Sequence, residues 1–210
     1  MSLKRIVMLG TGAVGKSAIT LQYVSHYFAS DYNPTIEDSF RTSITIGDDS
    51  YPIEILDTAG QEEFDALKDT YIRSGDGFAI VYSITSLNTF LEANEIRERI
   101  YRVLDKDVTQ HIPICLVGNK SDLENERIVS KEQAEELACL WGISFIETSA
   151  KKKSNINELY QIIMKDIIDT KTKEDEEKKK LKEHESITKK SSKKQKDGKK
   201  FYKKIGCSVM

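Results

Sequence analysis

The sequence predicts an α/β fold: a six-stranded, mostly parallel sheet with one antiparallel edge strand and helices on both faces. Three observations carry this. Apolar runs of strand length alternate along the chain with segments of helical periodicity, the pattern of strands joined by crossover helices. Two neighbouring strand segments are linked by Gly47-Asp48-Asp49-Ser50, a hairpin turn that makes the first of them antiparallel and puts it at an edge. A glycine-bearing loop separates the first strand from the first helix, at the strand end where open α/β sheets bind ligands.

In chain order, Lys4 to Leu9 reads as a short buried strand and Lys16 to Ser25 as the helix after the loop. The hairpin pairs Ser39 to Ile46 with Tyr51 to Asp57. Gly77 to Ser83 is the fourth strand, Leu87 to Leu104 a helix, and Ile112 to Gly118 the fifth strand. Lys131 to Leu140 is a helix with a capping box, because Ser130 stands three residues before Gln133. Ile143 to Thr148 is the sixth strand. In the closing helix, Ile156 to Ile168, residues Ile156, Leu159, Tyr160, Ile163 and Ile167 fall on one face and form a core stripe. There is no internal repeat.

The loop Gly10-Thr11-Gly12-Ala13-Val14-Gly15-Lys16-Ser17 fits GxxxxGK[ST] between a strand and a helix, the context a phosphate-binding loop needs. Gly10 and Gly15 give the backbone freedom to wrap a phosphate chain with its N–H groups, at the positive end of the following helix. Lys16 reaches the β- and γ-phosphates and the Ser17 hydroxyl ligates Mg2+. The fold expected is that of the P-loop NTPases.

ATP and GTP share such a loop, so the base must be read elsewhere. Asn119-Lys120-Ser121-Asp122 stands at the carboxyl end of the fifth strand. A carboxylate at Asp122 accepts from guanine N1–H and from the exocyclic amine, a donor pair that adenine lacks. Ser149-Ala150-Lys151, after the sixth strand, is positioned to back the guanine. Asp57-Thr58-Ala59-Gly60, at the end of the third strand, fits DxxG: Asp57 holds Mg2+ through water, Gly60 brings a backbone N–H to a γ-phosphate, and Gln61 orients an attacking water.

Together these motifs resemble the small GTPases and, within them, the Ras branch of Ras-, Rap- and Ral-like proteins. The resemblance covers roughly residues 3 to 168, read as the GTP-binding (G) domain. Tyr32-Asn33-Pro34-Thr35-Ile36-Glu37-Asp38-Ser39-Phe40-Arg41 resembles the Ras-type effector segment, and Asp57 to Phe64 its second switch. The similarity implies that Thr35 closes on Mg2+ and γ-phosphate, that Tyr32 covers the nucleotide, and that Ala18 and Pro34 lie among the residues around it. Phe28 would pack edge-on against guanine; an ordinary core aromatic is the competing reading from sequence. Ala13 departs from the pattern, standing where most Ras-type proteins carry glycine and the Rho branch carries alanine. No residue resembles a built-in arginine finger, which implies slow intrinsic turnover and a GTPase-activating protein that supplies one, alongside a guanine-nucleotide exchange factor and effectors.

Composition is compatible with this reading. The 210 residues, 39% hydrophobic, suffice for one sizeable core, and no stretch approaches the roughly 18 apolar residues of a membrane span. The apolar patch at Ile6 to Leu9 is too short for a signal peptide. Cys115, Cys139 and Cys207 have no spacing of a metal site or disulfide framework, as expected in a reducing compartment. Charge is unevenly divided: residues 171–210 hold 15 Lys against 7 acids, or +8, leaving 17 basic against 27 acidic residues, or −10, for residues 1–170. Residues 169–206 read as a disordered, lysine-rich hypervariable tail, with nine Lys and one acid between 189 and 204. Such a run serves a solvated tail, a nuclear or RNA-binding stretch, or a membrane-surface anchor. The last four residues choose among these, because Cys207-Ser208-Val209-Met210 is a CaaX box whose final Met points to farnesylation at Cys207. The expectation is a lipid anchor on the cytoplasmic face of the plasma membrane, with lysines meeting an anionic leaflet and no nucleic-acid partner.

The function expected is a GTP/GDP switch that hydrolyses GTP slowly and binds effectors in its GTP state. Two other classes compete: a scaffold that holds GTP permanently, which Thr35, Gly60 and Gln61 argue against, and an ATP-using phosphotransferase, which Asp122 argues against.

Overall fold

The computed structural model describes residues 2–28, 37–58, 65–176 and 178–180, with the backbone alone at 37 and 65–67. It divides into two units, residues 1–168 and 169–210. The first contains a sheet of six strands: β1 (Lys4–Leu9), β2 (Glu37–Ile46), β3 (Asp49–Thr58), β4 (Gly77–Ser83), β5 (Ile114–Asn119) and β6 (Ser144–Glu147). Their spatial order is β2-β3-β1-β4-β5-β6. All neighbours pair in parallel except β2 with β3, which run antiparallel from Glu37↔Thr58 to Ile46↔Asp49. Gly47 supplies the left-handed φ of +62° that the connecting turn needs. The turn is tighter than Gly47 to Ser50, because Asp49 and Ser50 already belong to β3. Strand β5 starts two residues later than Ile112, just beyond Pro113, which has no N–H to give to a ladder.

Side-chain alternation along the strands builds two cores. Val7, Leu9, Phe78, Ile80 and Tyr82 face α2 (Asp65–Ser74), α3 (Leu87–Val103) and α4 (Lys131–Trp141). Ile6, Met8, Ile53, Ile55, Ala79, Val81, Cys115 and Val117 face α1 (Lys16–Ser25) and α5, the helix that starts at 156. The expected stripe of Ile156, Leu159, Tyr160, Ile163 and Ile167 is buried here. The capping box at Ser130 and Gln133 forms both ways: Gln133 N–H donates to Ser130 Oγ at 3.2 Å and Ser130 N–H to Gln133 Oε1 at 3.0 Å. Helix α2 is not evident from the sequence, because its segment is mostly polar; among its described side chains, Tyr71 and Ile72 pack against the core.

One buried carboxylate ties three strands together. Glu54 on β3 accepts from Arg5 Nε on β1 at 2.7 Å and from Arg41 Nε on β2 at 2.8 Å, and each arginine is its direct partner in strand register. Ser39 adds a third donor at 3.3 Å.

In the second unit, residues 169–176 and 178–180 are helical, where composition had pointed to disorder from 169 onwards. Acidic and basic residues interleave in this stretch, and Lys178 pairs with Glu174 at 3.8 Å, an i,i+4 contact that supports an exposed helix. Residues 181–210, including the whole lysine-rich run from 189 to 204 and Cys207, lie outside the described residues.

Candidate functional site

Because β1, β3, β4, β5 and β6 are parallel, their carboxyl ends open on one edge of the sheet. Chain connections leave β1 toward β3 and leave β4 toward β5, so the loop after β1 sits where the strand order reverses. Four segments converge there: Gly10 to Lys16, the end of β3 at Asp57, the end of β5 at Asn119, and residues 148–153 beyond β6.

The phosphate loop is held by close backbone approaches that only glycine permits. A Cβ on Gly10 would stand 2.3 Å from Val81 O, and one on Gly15 would stand 2.3 Å from Asn119 Nδ2; both residues have positive φ, +148° and +97°. Gly12 faces open space. Ala13 adopts φ +62° although it is not glycine, a left-handed conformation that costs an L-residue about 1 kcal/mol. Val14 is buried, and Ala18 packs against the core below the loop.

Lys16 is almost fully buried, and its ammonium donates 2.9 Å hydrogen bonds to Gly10 O and Thr11 O, crossing the mouth of its own loop. Burial pulls its pKa down to about 8; nearby Asp57 pushes it back up and Lys68 lowers it further. Asp57, 1% exposed, shows the reverse: burial lifts its carboxyl to about 6, a hydrogen bond with Ser17 and the charge of Lys16 pull it down, and Asp38 raises it. Asp57 Oδ1 is buried with no hydrogen-bond partner among the described residues. A hydroxyl and an orphaned carboxylate oxygen beside a buried lysine fit a hard cation shared with phosphate oxygens.

The base end is assembled from satisfied bonds. Asn119 is buried; its Nδ2 donates to Val14 O at 2.9 Å and its Oδ1 accepts from Thr148 Oγ1 at 3.2 Å, so one side chain joins three loops. Lys120 takes a left-handed φ of +68° and turns the chain toward Asp122. Ser149 Oγ donates to Asp122 Oδ1 at 2.6 Å and accepts from Lys152 N–H at 3.0 Å, so the NKxD and SAK segments meet. Ala150 is buried and Lys151 exposed. Phe28 is 37% exposed and lies outside both cores, which removes the reading of an ordinary core aromatic.

The structure thus brings together Gly10, Gly12, Ala13, Val14, Gly15, Lys16, Ser17 and Asp57 at one end, and Asn119, Lys120, Asp122, Ser149, Ala150 and Lys151 at the other. Tyr32, Asn33, Pro34, Thr35, Ile36, Gly60, Gln61 and Cys207 lie outside the described residues. Asp38 and Ser39 are exposed on β2 and Phe40 is half-buried. Sequence reasoning missed Thr148 as a partner of Asn119, a contact across 29 positions that no local pattern signals.

The Ras family model matches residues 5–169, most of the chain and all four converging segments. The chain belongs to the Ras family, and is a small GTPase of the Ras type.

Proposed function

We propose that this chain is a membrane-tethered GTP/GDP switch that hydrolyses GTP slowly on its own and captures effectors when GTP is bound. The observation that carries the reading is the buried pair of Lys16 and Asp57, both displaced from their ordinary pKa values by burial, with one Asp57 oxygen left unpaired. Such a pair costs stability unless a ligand completes it. Mg2+, when bound, supplies charge that neutralises phosphate oxygens, with Ser17, Asp57 and Thr35 as the residues that would hold it. An arriving triphosphate offers Lys16 better acceptors than Gly10 O and Thr11 O, and the ammonium turns from bracing the loop to gripping phosphate. Gln61 positions the water for in-line attack, and Thr35 and Gly60 release after cleavage, the roles that the sequence resemblance implies. An arginine from an activating protein supplies the charge that this chain lacks.

Two further features support the switch reading. Among the described residues strand β2 pairs on one side only, with β3, so its outer N–H and C=O groups are open to a partner strand, and Asp38 beside Glu37 favours a basic surface. No helix among the described residues is long and apolar enough to cross a membrane. A farnesyl group on Cys207 reinforced by the lysines between Lys189 and Lys204 makes a two-signal anchor for the cytoplasmic face of the plasma membrane.

The decisive experiment compares wild type with Gln61→Leu in single-turnover phosphate release, with and without an activating protein of the Ras class. Both proteins are expected to load GTP, while only wild type accelerates with the activator. Equal stimulated rates would assign water positioning to another residue. Flotation of farnesylated protein with anionic and neutral vesicles across a salt series tests the anchor; equal, salt-independent binding would leave the lipid as sole anchor.

A further inference from the structure

The mechanism above leaves Gln22, a buried polar residue of α1, without a task. Gln22 is 6% exposed and its Nε2 donates to Ala150 O at 2.9 Å, a bond from the helix behind the phosphate loop to the segment that backs the base. Its Oε1 is buried with no partner among the described residues. A half-satisfied buried amide is no stabilising choice at a core-facing helix position, where leucine fills similar space without an orphaned oxygen. What leucine lacks is the directed bond to Ala150.

The segment that receives this bond needs holding. Between Ser149 and Asn155 it carries two non-glycine residues in the left-handed region, Lys153 at φ +57° and Asn155 at φ +57°, conformations that persist only where surrounding contacts impose them. The ties within it are a two-residue bridge between Ser149 and Ser154 and the Lys152 N–H bond to Ser149 Oγ. Asn155 Nδ2 anchors its far end on Glu147 O at 2.8 Å. A second tie from α1 joins the first: Lys153 Nζ lies 3.1 Å from Nδ1 of His26, the residue that caps α1. Gln22 and His26 lie one helical turn apart, so the same face of α1 grips the loop at Ala150 and at Lys153.

We infer that Gln22, seconded by the His26–Lys153 contact, is a positioning residue that holds the loop at Ser149, Ala150 and Lys151 against the base and thereby sets how long a guanine nucleotide stays bound. The assignment rests on the guanine-switch reading above. It makes α1 a shared strut: its first turn presents Lys16 and Ser17 to phosphate, and its last two turns secure the base end.

The test measures release of a fluorescent N-methylanthraniloyl GDP from the full-length protein into excess unlabelled GDP. Gln22→Leu should release about tenfold faster, the effect of one lost directed hydrogen bond, with the melting temperature of the ligand-free protein unchanged. Lys153→Met, an exposed site where folding is not at stake, should release about threefold faster, as loss of a weaker exposed bond allows. A double-mutant cycle separates positioning from general loosening. With the base grip already removed by Asp122→Asn, Gln22→Leu should add less than about twofold, because the two act on one contact surface. Wild-type release from Gln22→Leu overturns the inference, as does a full tenfold effect that persists in the Asp122→Asn background or a rate increase matched by lost thermal stability. If Gln22→Leu does not fold, unchanged release from Lys153→Met overturns it. Wild-type release from Asp122→Asn alone would strike the guanine reading itself, and the inference with it.

Discussion

The two ends of the nucleotide site are built on opposite principles. At the phosphate end, Lys16 and Asp57 are buried beyond what the protein compensates: the lysine is drawn down to about 8, the aspartate pushed up to about 6, and Asp57 Oδ1 finds no partner among the described residues. At the base end the side chains that join the loops are already hydrogen-bonded. Asn119 uses both arms of its amide, and Asp122 already accepts from Ser149. One end waits for its ligand to complete it, and the other is set before the ligand arrives. Chemistry needs transferable charge where phosphate bonds break, whereas selectivity needs a fixed template.

The largest expected effect probes the unfinished end. Lys16→Met should lower GTP affinity about a hundredfold or more while leaving the melting temperature of the ligand-free protein nearly unchanged, because the lost bonds to Gly10 O and Thr11 O are offset by relief from burying a charge. Calorimetric titration and thermal melting read the two quantities, and a large loss of ligand-free stability would erase the contrast. Asn119→Ala should do the reverse. It strands Val14 O and Thr148 Oγ1 in a buried place, and the ligand-free protein should lose about 2–3 kcal/mol in urea unfolding. Unaltered stability there would mean that the base end is no more preset than the phosphate end.

A pH series sharpens the comparison. Asp57 binds its proton more tightly folded than unfolded, so the folded state carries more protons between the ordinary carboxylate range and about 6. Ligand-free protein should therefore gain stability as pH falls from about 7 toward 4, by up to about 3 kcal/mol from this group. The gain should vanish in Asp57→Asn and in protein saturated with Mg2+ and nucleotide. The smallest effect concerns Ala13. Glycine at its φ of +62° removes the left-handed penalty, so Ala13→Gly should raise the unfolding free energy by up to about 1 kcal/mol; a loss would show that the methyl group packs usefully.

Much of this was legible in the sequence because the site uses local signals. The phosphate loop, NKxD and SAK each lie within a few residues of a strand end, and alternating apolar periods placed five of the strand ends on one edge. Helix α2 escaped because its ten-residue segment is mostly polar, and among its described side chains it is Tyr71 and Ile72 that pack on a surface formed elsewhere. The helical start of the second unit escaped because interleaved charges read equally well as a solvated tail or as a salt-bridged helix. The joints between motifs were out of reach. Asn119 to Val14 spans 105 positions and Gln22 to Ala150 spans 128, and neither has a sequence pattern.

The long reach of Asn119 has a consequence in time as well as in space. Its side chain closes residue 14 against residue 119 and residue 119 against residue 148, so the phosphate loop, made early, lacks the last of these joints until β6 has been made. A ribosome adding roughly 5–20 residues per second leaves that loop incomplete for several seconds. During that interval a nascent chain has the signature motif and no pocket. Nucleotide capture is therefore a report on the whole domain: a chain stopped before residue 148 should bind none, and the first GDP retained by a growing chain should mark the moment its sheet is complete.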